Sequence, residues 1–188
     1  VALLDVPFVC CSYTNSFGSL AKDAYSSVTI DDQREACRAV RLLTDQGHQR
    51  IAILLDSTQD SSISQLRYMG YRQALEESGL LLDKSLIGET GSFDMAAVFA
   101  IADSMAVAAM KALHDLGRRV PEDCSVVSID GIEMSAYTVP ALTTLAQPQE
   151  EMGERAVRIL VDMIEGRGRN LHVLPKAALR PGETIAPY

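Results

Sequence analysis

Short runs rich in β-branched and aliphatic residues alternate with amphipathic stretches along most of this chain, and that alternation constrains its fold more than any other feature. Strands that recur with a helix between them call for a parallel sheet covered on both faces, so the fold class is α/β. Phe8–Cys11 follows Pro7 and reads as a buried strand, and Ser27–Ile30 as the next. Asp31 or Asp32 can cap a helix that places Ala36, Val40 and Leu43 at helical spacing and ends at Gly47. Ile51–Leu55 is a third strand, followed by the polar loop DSTQDSS and a helix from Ile63 to Glu77 that Ser78 and Gly79 close. Leu86–Gly88 reads as a short strand and Ala97–Ile101 as a long apolar one, followed by a helix over Ser104–Leu116 that Gly117 stops. Val126–Ile129 and Leu142–Leu145 are further strands. A helix over Gln149–Ile164 follows, with Met152, Ala156, Leu160 and Met163 inward, and Leu171–Leu174 and the segment around Leu179 read as edge strands.

One interval breaks the pattern. A parallel crossover takes a dozen or more residues, yet little more than GETGSFDMA separates the strand at Leu86 from that at Ala97, and no two-residue hairpin turn lies there. The spacing predicts that a crossover helix is missing between Asp94 and Met95. The chain also opens inside a strand-like run, VALLDVPFVCC, which predicts a natural N-terminus further upstream.

Composition narrows the function classes. With 188 residues, 47% of them hydrophobic, the chain can bury a core. A net charge of −8 with scattered Lys and Arg offers no stripe to neutralise a phosphate backbone, so this region by itself is not expected to hold DNA. Cys10, Cys11, Cys37 and Cys124 show neither a C-x-x-C pair nor the spacing of a disulfide framework. They read as small buried apolar residues in a reducing compartment, and with no span-length apolar run and no basic segment ahead of VALLDV the expected location is the cytoplasm. His48, His114 and His172 are far apart and form no metal-spaced pair, with His48 expected to bond nearby backbone. Neither a nucleophile elbow nor a phosphate-binding glycine loop occurs. Neither catalysis nor a metal or other cofactor therefore finds support in the sequence.

In doubly wound sheets ligands lie beyond the carboxyl ends of the strands, where loops and helix N-termini converge. Asp103, in AIADSMA, and Asp130, in VVSIDGIE, both fall at such ends. Asp103 reads first as the N-cap of the helix behind it, with ligand contact as the alternative. Asp130 precedes Gly131 with no long helix behind it, and its pattern suits a turn or a ligand contact equally. Arg67, in SISQLRYMGYRQAL, is by spacing a solvated helix charge, although its planar fork could clamp hydroxyls or a carboxylate. Phe93, in ETGSFD, could stack on a sugar or base face or simply anchor its loop.

Several segments together resemble the effector-binding region of the lactose-repressor and galactose-repressor (LacI/GalR) family of bacterial transcription regulators. They are Gln46–Ala52 (QGHQRIA), Arg67–Tyr71 (RYMGY), Ala102–Ala106 (ADSMA), Leu116–Asp123 (LGRRVPED), Val126–Asp130 (VVSID) and Pro140–Thr144 (PALTT), extended by Gln147-Pro148 and Met152-Gly153. Each fragment is weak alone, but their order covers nearly the whole chain.

The resemblance implies two doubly wound lobes of the periplasmic-binding-protein-like type, with parallel sheets, three chain crossings and an effector in the cleft between the lobes. Residues 1–30 and 142–166 would form an incomplete N-terminal lobe, and residues 31–141 and 167–188 the C-terminal lobe. A helix-turn-helix head would lie upstream. The family's effector contacts carry over to Arg67, Phe93 and Asp130, with Asp103 matching a widespread residue, and Ser12 and Ser61 complete the expected set. The chain departs from the family pattern at Ala102, where many members carry a polar residue beside that aspartate, and at Ser12, a strand-end position that the resemblance implies as an effector contact. The implied effector is a sugar or related polyol, and the implied partners are a second copy of the chain and operator DNA held by the absent head. A periplasmic-type sugar receptor serving transport shares this fold, but the thiols and the PALTTL segment favour the regulator. An enzyme on the same scaffold would need a nucleophile or metal set that the residues do not supply.

Overall fold

The strands sort into two sheets, and the backbone divides accordingly into two units, one of Val1–Asp31 with Pro148–Ala177 and one of Asp32–Gln147 with Ala178–Tyr188. The computed structural model describes residues 6–12, 25–56, 63–88 and 95–188. Among these are strands β1 (Val9–Cys11), β2 (Ser26–Val28), β3 (Ile51–Leu54), β4 (Ala97–Ala100), β5 (Ser125–Asp130), β6 (Thr143–Ala146), β7 (His172–Val173) and β8 (Ala178–Arg180). The helices are α1 (Asp32–Thr44), α2 (Ile63–Glu77), α3 (Asp103–Asp115) and α4 (Gln149–Ile164).

In the first unit β1, β2 and β7 form a parallel sheet in that order, with α4 packed on β1 and β2. Glu150 and Glu151 in the first turn of α4 complement its dipole. Met152 and Ile159 are its buried residues, while Ala156, Leu160 and Met163 are only half-buried, so the inward face is narrower than the sequence pattern indicates.

In the second unit the order is β3-β4-β5-β6-β8, parallel except for β8, which runs antiparallel to β6 at the edge. Strand alternation splits its core. Ala52, Val98, Ala100 and Val126 pack with Ala106, Met110 and Leu113 of α3. The intervening residues Ile51, Ile53, Phe99, Val127 and Ile129 are all buried on the other face, where α1 lies over β4, β5 and β6. Helix α2 packs on α1 at Gly70, where a Cβ would stand 2.1 Å from the Gln33 carbonyl oxygen, so only glycine allows this approach.

Two expected lobe boundaries shift. Strand β6 hydrogen-bonds to β5 in register from Val127–Thr143 to Asp130–Ala146, which places residues 143–146 in the second unit rather than in the N-terminal lobe. The crossing falls instead between Gln147 and Pro148. Residues 171–173 belong to the first unit, because Ser27 N–H donates to the Leu171 carbonyl at 2.9 Å and Thr29 N–H to that of Val173 at 3.0 Å.

Of the expected strand at Leu86–Gly88, Leu86 ends a 3₁₀ turn over Lys84–Leu86 capped by the Asp83 carboxylate, and Ile87 makes a single parallel bridge to Ile53. Since Ile53 also pairs with Phe99, Ile87 and β4 flank β3 on opposite edges. The expected gap between Asp94 and Met95 falls at the edge of residues 89–94, which lie outside those described. All four cysteines are free, but only Cys37 and Cys124 are buried. Cys10 is half-buried and Cys11 exposed, because a three-residue strand at its sheet's end covers little of itself.

Candidate effector site

Arg67 sits in the second turn of α2, a helix that starts at Ile63 beyond the carboxyl end of β3. The helix start is tied to that strand end by Ser64 Oγ, which donates to the Asp56 carboxylate. The side chain is buried rather than solvated, which corrects the reading from spacing alone. Its Nε donates to Asp32 Oδ1 at 2.9 Å, and Asp32 is the buried first residue of α1. Its Nη1 donates to the carbonyl of Ile101, just past β4, and reaches Asp130 Oδ1 at 3.3 Å. The guanidinium thus joins α1 to the ends of β4 and β5, all within the second unit.

Asp130 ends β5 with φ of 140°, and Gly131 follows at φ 72°. A Cβ on Gly131 would stand 2.3 Å from the Ala146 side chain, so the glycine both permits this turn and lets it press against β6. The Asp130 side chain is 26% exposed and accepts a further bond from Gln147 Nε2 at 2.9 Å. Burial raises its pKa above the usual carboxylate range, partly offset by the charge of Arg67 and the Gln147 bond, while the charge of Asp103 adds to the rise. What results is a half-exposed carboxylate oriented by two donors beside a fixed guanidinium, an arrangement able to exchange hydrogen bonds with a polyhydroxyl ligand.

Asp103 does something else. It is the first residue of α3, whose N-cap is Ala102 with no side-chain cap bond, so the expected capping role is not what the structure shows. The fully buried Oδ1 accepts Ser128 Oγ and Thr144 Oγ1, each at 2.6 Å, and Oδ2 accepts the Ile132 N–H at 2.9 Å. Its placement among effector contacts is corrected accordingly, because the carboxylate binds α3 to β5, β6 and the turn after Gly131 and presents no surface to a ligand. Ser12 lies exposed in the first unit at the end of β1, with its N–H on the Val28 carbonyl at 2.9 Å. Ser61 and Phe93 lie outside the described residues.

The structure therefore brings together Arg67 and Asp130 of the expected set and adds Asp32 and Gln147. Asp32 was legible only as a helix start. Gln147 stands one residue beyond β6, a strand-tip position that the rule for doubly wound sheets could have flagged. Among the described residues no cluster of His, Cys, Asp and Glu could hold a metal ion.

A model of the periplasmic binding protein-like domain matches residues 40–185. The HTH-type transcriptional regulator MalR of Clostridium butyricum is 36% identical over 187 residues, covering 91% of this chain and 55% of that protein. The chain belongs to the LacI/GalR family. As a LacI/GalR chain it is also similar to the regulator AscG of Escherichia coli, 37% identical over 164 residues that cover 78% of this chain and 48% of AscG. Among solved structures, a complex of the regulator CelR with cellobiose superposes with a TM-score of 0.83 at 31% identity, covering 95% of this chain and 59% of that one. The chain spans about half the length of the curated relatives it matches. The α/β fold of parallel sheets is that of the effector-binding region of LacI/GalR regulators. No helix among the described residues is long and apolar enough to cross a membrane.

Proposed function

We propose that this LacI/GalR chain is the effector-binding and dimerisation region of a cytoplasmic bacterial transcription regulator without enzymatic activity. In this reading a sugar or related polyol binds at the strand ends of the second unit, where Arg67 and Asp130 share its hydroxyl groups. Phe93 and Ser61 complete the contact set. The carrying observation is the guanidinium of Arg67 held 3.3 Å from a carboxylate that keeps an exposed face at the tip of β5. Charge-assisted hydrogen bonds of this kind contribute about 1.5–3 kcal/mol each. The relatives support the reading: MalR and AscG carry the names of regulators, and the CelR structure is a complex with cellobiose.

Regulation then follows from linkage. A ligand that binds one conformation of the region more tightly shifts the population toward it, and the operator affinity of a DNA-binding head changes by that difference in affinity. Two copies would present two heads to a near-palindromic operator.

The test is calorimetric titration of sugars into the wild type and Asp130→Ala, paired with operator binding by the full-length protein. Asp130→Ala is expected to lose sugar binding at least tenfold and to leave operator affinity without sugar unchanged. Equal sugar affinity in both proteins would remove Asp130 from the site.

A further inference from the structure

The Arg67 cluster is arranged so that its cation is already neutralised, and we infer that the site selects uncharged effectors and rejects phosphorylated or carboxylated ones, with Asp32 as the positioning residue that sets this selectivity. The inference rests on the effector reading above and names the ligand class more narrowly. One guanidinium meets two carboxylates, and a third acts on one of them. Asp32 Oδ1 is 2.9 Å from Nε, Asp130 Oδ1 is 3.3 Å from Nη1, and Asp103 lies close enough for its charge to act on Asp130. The pair with Asp32 is almost wholly buried, with side-chain exposures of 5% and 2%, so water screens it little.

Geometry reinforces charge. A guanidinium that captures a phosphate commonly presents two parallel N–H groups to it. Here Nε is turned to Asp32 and Nη1 to the Ile101 carbonyl and Asp130. Among the described residues no acceptor engages Nη2, which leaves a single fork arm suited to a hydroxyl oxygen. Asp130 adds an acceptor that hydroxyl donors satisfy and that an anionic group meets as a like charge. Asp32 touches no ligand in this scheme. It fixes the fork's direction and cancels its field.

The experiment titrates full-length protein with D-glucose, D-ribose, maltose and cellobiose and with the phosphorylated form of each, for wild type and Asp32→Asn. Wild type is expected to bind its preferred neutral sugar at least tenfold more tightly than the matching phosphate. Asp32→Asn keeps an oxygen for Nε and removes the charge, so that ratio is expected to shrink at least tenfold through tighter phosphate binding. A purely structural role would instead weaken both ligands together. Should Asp32→Asn lose its cooperative melt, Asp130→Asn, on the more exposed carboxylate, supplies a second readout and must bind the phosphate itself more tightly than wild type does, since its sugar affinity falls with the lost contact. A wild type that prefers a phosphate, or a ratio unmoved by the charge-removing variant, overturns the selectivity while leaving the effector reading intact. Binding of neither series overturns both.

Discussion

Asp103 accepts from Ser128 Oγ, Thr144 Oγ1 and the Ile132 N–H, so replacing it with alanine strands three donors inside the fold. Buried donors left without acceptors cost about 1–3 kcal/mol each. Asp103→Ala is therefore expected to lower stability by about 3 kcal/mol or more, read as a drop in urea midpoint at unchanged m-value. Its position was legible but its partners were not, since they lie 25 and 41 residues along the chain and meet only when β5 and β6 pair. His48 behaves likewise. Its ring meets the Ala186 carbonyl through Nε2 at 3.0 Å, which makes Nε2 the donor, and the buried Nδ1 has no hydrogen-bond partner among the described residues. Burial lowers its pKa from 6.5, against a smaller opposite effect of the Ala186 bond, so the folded protein holds the neutral ring while the unfolded chain takes up a proton near 6.5. The stability that His48 contributes is then complete above that value and lost as the pH falls through the lower folded pKa. Thermal melts between about pH 7.5 and about pH 5.5 should show it, with a shallower slope in His48→Gln.

At the scale of elements, α1, α2 and α4 fall where their apolar periodicity and stop signals put them, because such signals are local to each helix. What periodicity does not encode is the distance between helices. Gly70 looks like an ordinary weak point of α2, yet the helix meets α1 there with no room for a methyl group, a Cβ lying 2.8 Å from that of Ala36 and 2.1 Å from the Gln33 carbonyl. Gly70→Ala is expected to destabilise by about 1–3 kcal/mol despite alanine's better helix propensity, measured by denaturant unfolding. Because Arg67 and Asp32 ride on the same two helices, the variant should also loosen the buried ion pair and weaken sugar binding. The 3₁₀ turn at Lys84–Leu86 marks the converse case: Ser85 N–H and Oγ both bond Asp83 Oδ1, at 2.9 and 2.7 Å, and this local polar turn takes in Leu86, the first residue of the expected strand, leaving Ile87 a single bridge to Ile53.

For the whole molecule, the exposed apolar residues matter most. Val139 is 97% exposed and Tyr137 70%, with Met134 nearby in sequence, all in the link between β5 and β6. Val139 also lines a surface cavity of about 520 Å³ together with Met110 and His114 of α3. Such a patch is costly to leave in water, and a second copy of the chain is the occupant that the dimer in the proposed function requires. Tyr137→Asp combined with Val139→Asp is expected to yield monomers by light scattering while sugar affinity stays within about threefold, because neither residue joins the Arg67 cluster; an undiminished dimer would place the interface elsewhere.

The sequence alone determined the α/β class, the succession of strands and helices, and the family, because hydrophobic period, turn residues and short motifs are carried by neighbours along the chain. It also placed Asp103 and Asp130 at strand ends. Only the tertiary structure decided what these residues do. The β5–β6 pairing turned Asp103 inward as an anchor, and the packing of α2 on α1 buried Arg67 against Asp32. The same fold moved residues 143–146 and 171–173 out of their expected units. Those outcomes depend on contacts between residues remote in sequence, and the free energy of burial and pairing that selects them has no local signature.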